Sequence, residues 1–450
     1  MKILTKGIPA NISNFVIGAV FFIVMGFIFF IYAIDFPLLI LAYLLFLYAK
    51  FLRKLDNLPS YVDLAILGIT AILIPLLTTV TFKISGYGIA AIGFVTLITL
   101  LFDSLELSFL FAFFISFLSA SVDGGNFNLG ISLFVGSLTS AMLVFRVRRR
   151  FQVIKAGLLA GIIQFIAAFI MEREQSFFVL SGPDLNLLKI CLINGVVSSV
   201  IVLGVLPIFE YIFKVVTNIS LLELSDFNHP LLRRLILEAP GTYQHSLVVA
   251  NLSETAAEAI GANSLLARVG AYYHDVGKLI KPDYFVENLV KYKDMHKKLK
   301  PSMSKLIIFN HVKEGAEIGV KYRLNPKIID FITQHHGRSL VYYFYQRAKE
   351  LEPEGKHEEE YRYPGPKPQS KEIAIVSLAD TIEALSRTLE EPNPSRIEEM
   401  VREVVKKRFM EGELDESSLA LKDLEKITQS FTRILNAVFH TRISYPKNDR

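Results

Sequence analysis

Ala271-Tyr-Tyr-His274-Asp275-Val-Gly-Lys278 is the stretch on which the reading of this chain turns. It sets an imidazole beside a carboxylate at the end of an apolar run. Neighbouring positions on a helix diverge by about 100°, so such a pair can serve two ions or grip one from two sides. A lone histidine on an amphipathic helix is more often a satisfied core residue than a ligand. Here the same residue types recur on either side, as His245, His311, His335-His336 and Asp380. Five imidazoles and two carboxylates are more than one metal ion needs and suit two. Neutral imidazole fits Fe, Mn or Zn, and a carboxylate such as Asp275 can bridge a pair of ions. Two ions that share an activated water are a device for phosphoryl chemistry. The absence of cysteine ligands argues against a structural zinc site. His229, His296, His357 and His440 lie outside the pattern.

The segments around this stretch read as helices. After a break at Pro240-Gly241, Thr242 is expected to cap a helix carrying His245, with Val248, Leu252, Ala256 and Ala259 on its apolar stripe. Ser264 opens the helix that brings in His274 and Asp275 and ends at Gly277. His311 lies on a third. Asn325-Pro326, a cap residue followed by proline at the first helical position, starts the helix that delivers His335 and His336. Ser370 starts another, carrying Asp380. Glu383 and Arg387 share the Asp380 face at helical spacing and read as a supporting or structural pair. Lys278 has two readings, a contact for a substrate phosphate or a solvated lysine at a helix end. Leu221 to Arg234 reads as a connecting helix or helix pair. Strand patterns are nearly absent, and the half is all-α.

The other half is different in kind. Hydrophobic residues make up 52% of the 450-residue chain, and nearly unbroken apolar runs across residues 1–213 account for it. About eight segments, near 14–34, 36–52, 62–82, 86–102, 107–122, 129–146, 155–171 and 187–213, have lengths at or near those that cross roughly 30 Å of hydrocarbon. Lys2 and Lys6 before the first run resemble a secretory signal. No small-x-small cleavage site follows before Asp35, so the run reads as an anchor. Lys50, Arg53 and Lys54, and then Arg146, Arg148, Arg149, Arg150 and Lys155, mark inside loops and place both ends in the cytoplasm. Asp63, Asp103, Glu106 and Glu210 fall at expected span ends and read as interfacial caps rather than as an ion pathway. The net charge of +5 is modest for this length and belongs to topology, not to nucleic-acid binding. The single cysteine, Cys191, permits no internal disulfide and is compatible with a reducing compartment.

Together, Tyr243-Gln-His-Ser, His274-Asp-Val-Gly-Lys, Asn310-His-Val, Gln334-His-His-Gly and Leu378-Ala-Asp resemble the HD-domain phosphohydrolases. Glu238-Ala-Pro-Gly-Thr-Tyr-Gln-His-Ser, Tyr361-Arg-Tyr-Pro-Gly-Pro-Lys-Pro-Gln-Ser-Lys-Glu and Ala379-Asp-Thr-Ile-Glu-Ala-Leu-Ser-Arg-Thr-Leu narrow the resemblance to the seven-transmembrane HD-domain receptors. The resemblance implies His245, His274 and Asp380 on one ion, His311, His335 and His336 on the other, and Asp275 bridging. It implies catalytic roles for Asp275 and Lys278, two divalent ions (Mn or Fe), and hydrolysis of cyclic di-AMP to linear pApA. The family usually carries a large extracellular domain after its first span. Here only Asp35, Phe36 and Pro37 separate the first two runs, so that sensor is expected to be missing.

The expected architecture is a polytopic helical membrane domain followed by an all-helical HD phosphohydrolase. Its parts are a cytoplasmic N-terminus at 1–13, the spans at 14–213, a linker region at 214–240 and a cytosolic catalytic domain at 241–450. The expected setting is a bacterial inner membrane, with the lipid bilayer and a cyclic dinucleotide as partners, no nucleic-acid polymer, and a homodimer left open. A cyclic di-GMP enzyme is the nearest alternative, but no Gly-Tyr-Pro follows His335-His336, which continues as Gly-Arg-Ser. A (p)ppGpp hydrolase and a non-catalytic signalling module are the others.

Overall fold

The computed structural model describes residues 86–88, 90–172, 182–213, 215–289, 295–351, 358–390 and 392–439. These fall into two compact units that divide between Ile219 and Ser220. Among the described residues there is no strand, only one antiparallel bridge pairing Leu340 with Arg362.

The first unit contains α1 (Ala91–Phe102), α2 (Leu105–Val122), α3 (Phe127–Val144), α4 (Arg150–Glu172) and α5 (Gly182–Phe213). The last four are long and apolar enough to cross a membrane, and α1 is a shorter apolar helix. These five correspond to the last five expected spans. The first three, and the tight turn at Asp35-Phe36-Pro37, lie outside the described residues. Lipid offers no hydrophobic drive between helices, so small residues and hydrogen bonds hold such bundles together. On α4 and α5, a methyl group on Gly157 would strike Gly195 O, and one on Gly195 would strike Gly157 O, so the two backbones touch there. Thr96 and Ser140 pair at 2.6 Å between α1 and α3, and Thr99 and Ser108 at 2.8 Å between α1 and α2. Asp103 sits in the loop after α1, where its carboxylate accepts from Arg146 N–H at 3.1 Å. Glu210 accepts from Thr217 N–H at 2.8 Å, just beyond the end of α5. Asp63 lies outside the described residues.

After α6 (Asn218–Leu224) and α7 (Pro230–Glu238), the helix pair expected there, the second unit is built around α8 (Pro240–Ile260). Pro240 begins this helix rather than breaking the chain, and Thr242 does not cap it. Proline lacks the amide that a first-turn position would leave unpaired, so it starts a helix at little cost. The Thr242 hydroxyl instead donates to Glu287 Oε1 at 3.1 Å. The buried face of α8 runs through His245, Val249, Leu252, Ser253 and Ala256; Leu252 and Ala256 are buried as expected, while Val249 replaces Val248 and Ala259 is exposed. α9 (Ser264–Tyr273) opens at Ser264 as expected and is capped by Asn263, whose side chain accepts from Leu266 N–H. It ends before His274, and a 3-10 turn over Val276–Ile280 follows. α10 (Pro301–Lys321) carries His311. Asn325 caps α11 (Pro326–Gln334) as expected, and His335 is its C-terminal cap. After α12 (Tyr342–Leu351), Ser370 caps α13 (Lys371–Ser386), which carries Asp380. α14 (Pro394–Met410) and α15 (Leu421–Val438) complete the unit. α9, α13 and α15 pack on α8, and α10 packs on the 3-10 turn after His274-Asp275.

Candidate metal centre

Every one of the seven residues singled out in the sequence converges on one buried site. Their ligating atoms form two groups, His245-His274-Asp275-Asp380 and Asp275-His311-His335-His336. Within each, the atoms lie within 4.8 Å of one another. Asp275 belongs to both, and its two oxygens face different ways. Oδ2 lies 3.2 Å from His274 Nε2 and 3.7 Å from His245 Nε2. Oδ1 lies 3.4 Å from His311 Nε2 and 3.7 Å from His335 Nε2. Asp380 adds its Oδ1 at 3.0 Å from His245 Nε2.

Local folding explains why the rings point inward. His274 and His335 sit where helices end, and His311 lies within α10. Each turns its Nδ1 back to donate to a carbonyl of the preceding turn: Ala271 O for His274, Ile308 O for His311, Ile332 O for His335. Such a bond settles the tautomer and leaves Nε2 bare for an ion. His245 is oriented through a side chain instead, since its Nδ1–H donates to Glu383 Oε2 at 2.6 Å while its Nε2 meets Asp380 Oδ1. Glu383 in turn accepts from the Arg387 guanidinium, with the Arg387 Nε at 2.6 Å. The pair read from spacing is thus a support for His245.

Divalent metal binding fits this site on an observation independent of the residue list. His274 Nε2 and Asp275 Oδ1, one in each group, are buried and make no hydrogen bond. Unsatisfied buried polar atoms are costly, and an ion in each group would satisfy both. The electrostatics agree. Burial lowers the affinity of the His274 ring for a proton, but Asp275 and Asp380 more than offset it and push its pKa up to about 10. Burial pushes His335 down to about 3, aided by repulsion from His274 and His311. His311 and His336 are also lowered, burial being the first cause in each. The second group therefore offers neutral imidazoles at pH 7, while in the first the His274 ring holds a positive charge that an ion would replace, releasing a proton.

Lys278 is neither solvated nor unpaired. Its Nζ lies 2.7 Å from Asp275 Oδ2 and 2.7 Å from Glu287 Oε1. Burial works against its charge, but the two carboxylates more than offset that and raise its pKa above the usual lysine range. Of the two residues that complete this network, Thr242 read only as a cap and Glu287 carried no sequence signal. His229 caps α7 through its Nδ1 and His296 Nε2–H donates to Tyr284 O, and neither belongs to the two groups. His357 and His440 lie outside the described residues.

Comparison with known proteins places both halves. The family described as a 7TM receptor with intracellular HD hydrolase matches residues 28–217, and the HD domain matches residues 242–385. The chain is 42% identical over 323 residues to the cyclic-di-AMP phosphodiesterase PgpH of Bacillus subtilis, covering 72% of this chain and 45% of that protein. To the PgpH of Listeria monocytogenes it is 39% identical over 341 residues, covering 75% of this chain and 47% of that protein. It therefore spans about half the length of these curated relatives. The crystal structure of the L. monocytogenes PgpH HD domain in complex with cyclic-di-AMP is 46% identical, covering 48% of this chain and all of that one, with a TM-score of 0.46.

Proposed function

The chain belongs to the family of 7TM receptors with an intracellular HD hydrolase, and from that premise we propose that it is a membrane-anchored phosphodiesterase that hydrolyses cyclic di-AMP to linear pApA. The observation that carries the reading is Asp275, with one oxygen toward each histidine group. The substrate class follows the relatives named above.

Two divalent ions, Mn or Fe by donor type, would supply a water acidic enough to attack at neutral pH and positive charge opposite the phosphoryl oxygens. The residues of the chain do the rest. Asp275 sets the separation of the two groups, and Asp380, His245 and His274 complete the first. His311, His335 and His336 complete the second. Lys278 holds Asp275 from the side and carries the positive charge nearest to it, which makes it the candidate to steady a substrate phosphate. In the net reaction the water oxygen bonds to phosphorus, the P–O3′ bond breaks, and a proton ends on the departing O3′.

The test is the purified full-length chain in detergent, supplied with Mn²⁺ or Fe²⁺ and offered cyclic di-AMP, cyclic di-GMP and (p)ppGpp separately. Cyclic di-AMP should be cleaved at least about tenfold faster than the others, a difference of roughly 1.4 kcal/mol in barrier. Equal or reversed rates would refute the substrate, and no turnover of any would favour a non-catalytic module.

We place the catalytic domain, residues 241–450 with the connecting region 214–240, on the cytosolic face of the bacterial inner membrane. The basic run from Arg146 to Lys155, between α3 and α4 and into α4, supports this through the positive-inside rule. A fluorescent protein fused after residue 150 or at the C-terminus should glow, and alkaline phosphatase at the same points should be inactive. Active phosphatase at either point would overturn the arrangement and the access to a cytosolic nucleotide with it.

A further inference from the structure

Four of the five histidines at the centre have their ring planes held by a hydrogen bond from Nδ1, three to backbone carbonyls and one to Glu383. His336 has none among the described residues. Its Nδ1 lies 3.6 Å from Asp380 Oδ2, beyond hydrogen-bond length. It is also the least covered of the five, with a side chain 21% exposed. The ring torsion of histidine is broad and roughly two-fold, so an unanchored imidazole turns its nitrogens away from an ion as readily as toward it. Something else must hold this ring.

Among the described residues three rings meet it: His335 at 4.0 Å and His311 at 5.1 Å are inclined to it by 46° and 89°, and Tyr363 is the one that stacks. Its ring lies over that of His336 with centroids 4.3 Å apart and planes inclined by 23°. Tyr363 also meets Phe309, with ring centroids 4.6 Å apart, and His311 in an edge-type contact at 6.3 Å. Tyr363 is only 6% exposed. Its backbone is tied to the turn that follows His336: Tyr363 N–H donates to Ser339 O at 3.0 Å, and Val341 N–H donates to Tyr361 O at 2.9 Å. Ser339 itself donates through its hydroxyl to His336 O at 2.6 Å. The bridge between Leu340 and Arg362 therefore brings two distant segments into register so that one aromatic ring covers one imidazole.

We infer that Tyr363 is a positioning residue for the second ion of the centre, its ring doing for His336 what a carbonyl or Glu383 does for the other four. The inference rests on the two-ion reading of the site and adds to it a residue outside the ligand set. Stacking is a suitable clamp here because it restrains ring rotation while leaving both nitrogens, which lie in the ring plane, uncovered. It is the ring that acts, so phenylalanine should substitute and an aliphatic side chain should not. Loss of an outer-sphere support of a metal-ligating histidine typically weakens the ion by 10–100-fold.

The experiment is a Mn²⁺ titration of the full-length chain in detergent, reading bound ions by equilibrium dialysis and metal analysis, with thermal unfolding followed in parallel. Wild type should bind two ions. Tyr363→Phe should bind both within about twofold of wild type, and Tyr363→Leu should keep one ion while the other weakens by about tenfold or more. Tyr363→Met, which fills similar volume with a flexible chain, should behave as Tyr363→Leu and serves if that variant folds poorly. The His336→Ala loss should not deepen when Tyr363→Leu is added, because both remove the same support. Wild-type binding of both ions by Tyr363→Leu, or equal loss in Tyr363→Phe, would overturn the assignment. Failure of Leu and Met variants alike to fold would assign the ring to the core and overturn it too. Wild type binding fewer than two ions would sink the two-ion reading on which it stands.

Discussion

Asp275→Ala should reduce cyclic di-AMP hydrolysis by about 10³-fold or more, on the order of 4 kcal/mol in the barrier, in a protein that remains folded. The two oxygens of this carboxylate are the only groups shared by both halves of the centre. Their loss removes a partner from each proposed ion and frees Lys278, which keeps only Glu287. The fold should survive because three of the rings are held by backbone carbonyls, not by Asp275. Circular dichroism and thermal unfolding check the fold, and metal analysis should find fewer than two ions per chain. A folded variant with wild-type rates would remove Asp275 from the mechanism.

A comparable effect, on stability, is expected at Gly277, two residues beyond Asp275. A Cβ there would collide with His311 O and lie 2.6 Å from Gly315 N and 2.7 Å from His311 C. These are backbone atoms of α10, which cannot rotate aside. Overpacking that neighbours cannot relieve is among the more damaging core changes. Gly277→Ala should cost about 3 kcal/mol or more, seen as a lowered unfolding temperature, and should weaken metal binding because α10 carries His311. Gly319→Ala is the contrast on the same helix. Its Cβ would meet only side-chain carbons, the nearest at 3.2 Å, and its effect should stay within about 1 kcal/mol. Equal stability of the two variants would mean that the close approach of the turn to α10 does not constrain the site.

What the sequence made legible was chemistry with a local signature. The order of histidines and aspartates identified the groups that meet, and the Asn325-Pro326 and Ser370 starts were right because capping is decided within one turn. The Ser264 start was right as well, whereas Thr242 was misread as a cap. Pro240, two residues earlier, takes the helix start, and Thr242 then finds Glu287, more than forty residues away. The apolar stripe of α8 was right at Leu252 and Ala256 but took Val248 for Val249, because the two valines are chemically alike and only the neighbours of the helix choose between them. The supports were legible only in part. Glu383 was visible as a partner of Arg387, yet its contact with His245 spans 138 residues. Tyr363 lies inside a segment that carried the family resemblance, but no periodicity says that its ring covers His336. The touching backbones of Gly157 and Gly195 are equally silent, since small residues in an apolar run look like ordinary span composition.

The claim at the centre of this account is that two ions held across Asp275 cleave a cyclic dinucleotide. Its most direct test is the initial rate of cyclic di-AMP cleavage by the full-length chain, first treated with chelator and then reloaded with Mn²⁺, plotted against ions bound per chain. The account predicts negligible cleavage up to one bound ion and a rise to the full rate as the second is filled. A full rate at one ion, or any sustained turnover with none, would contradict it.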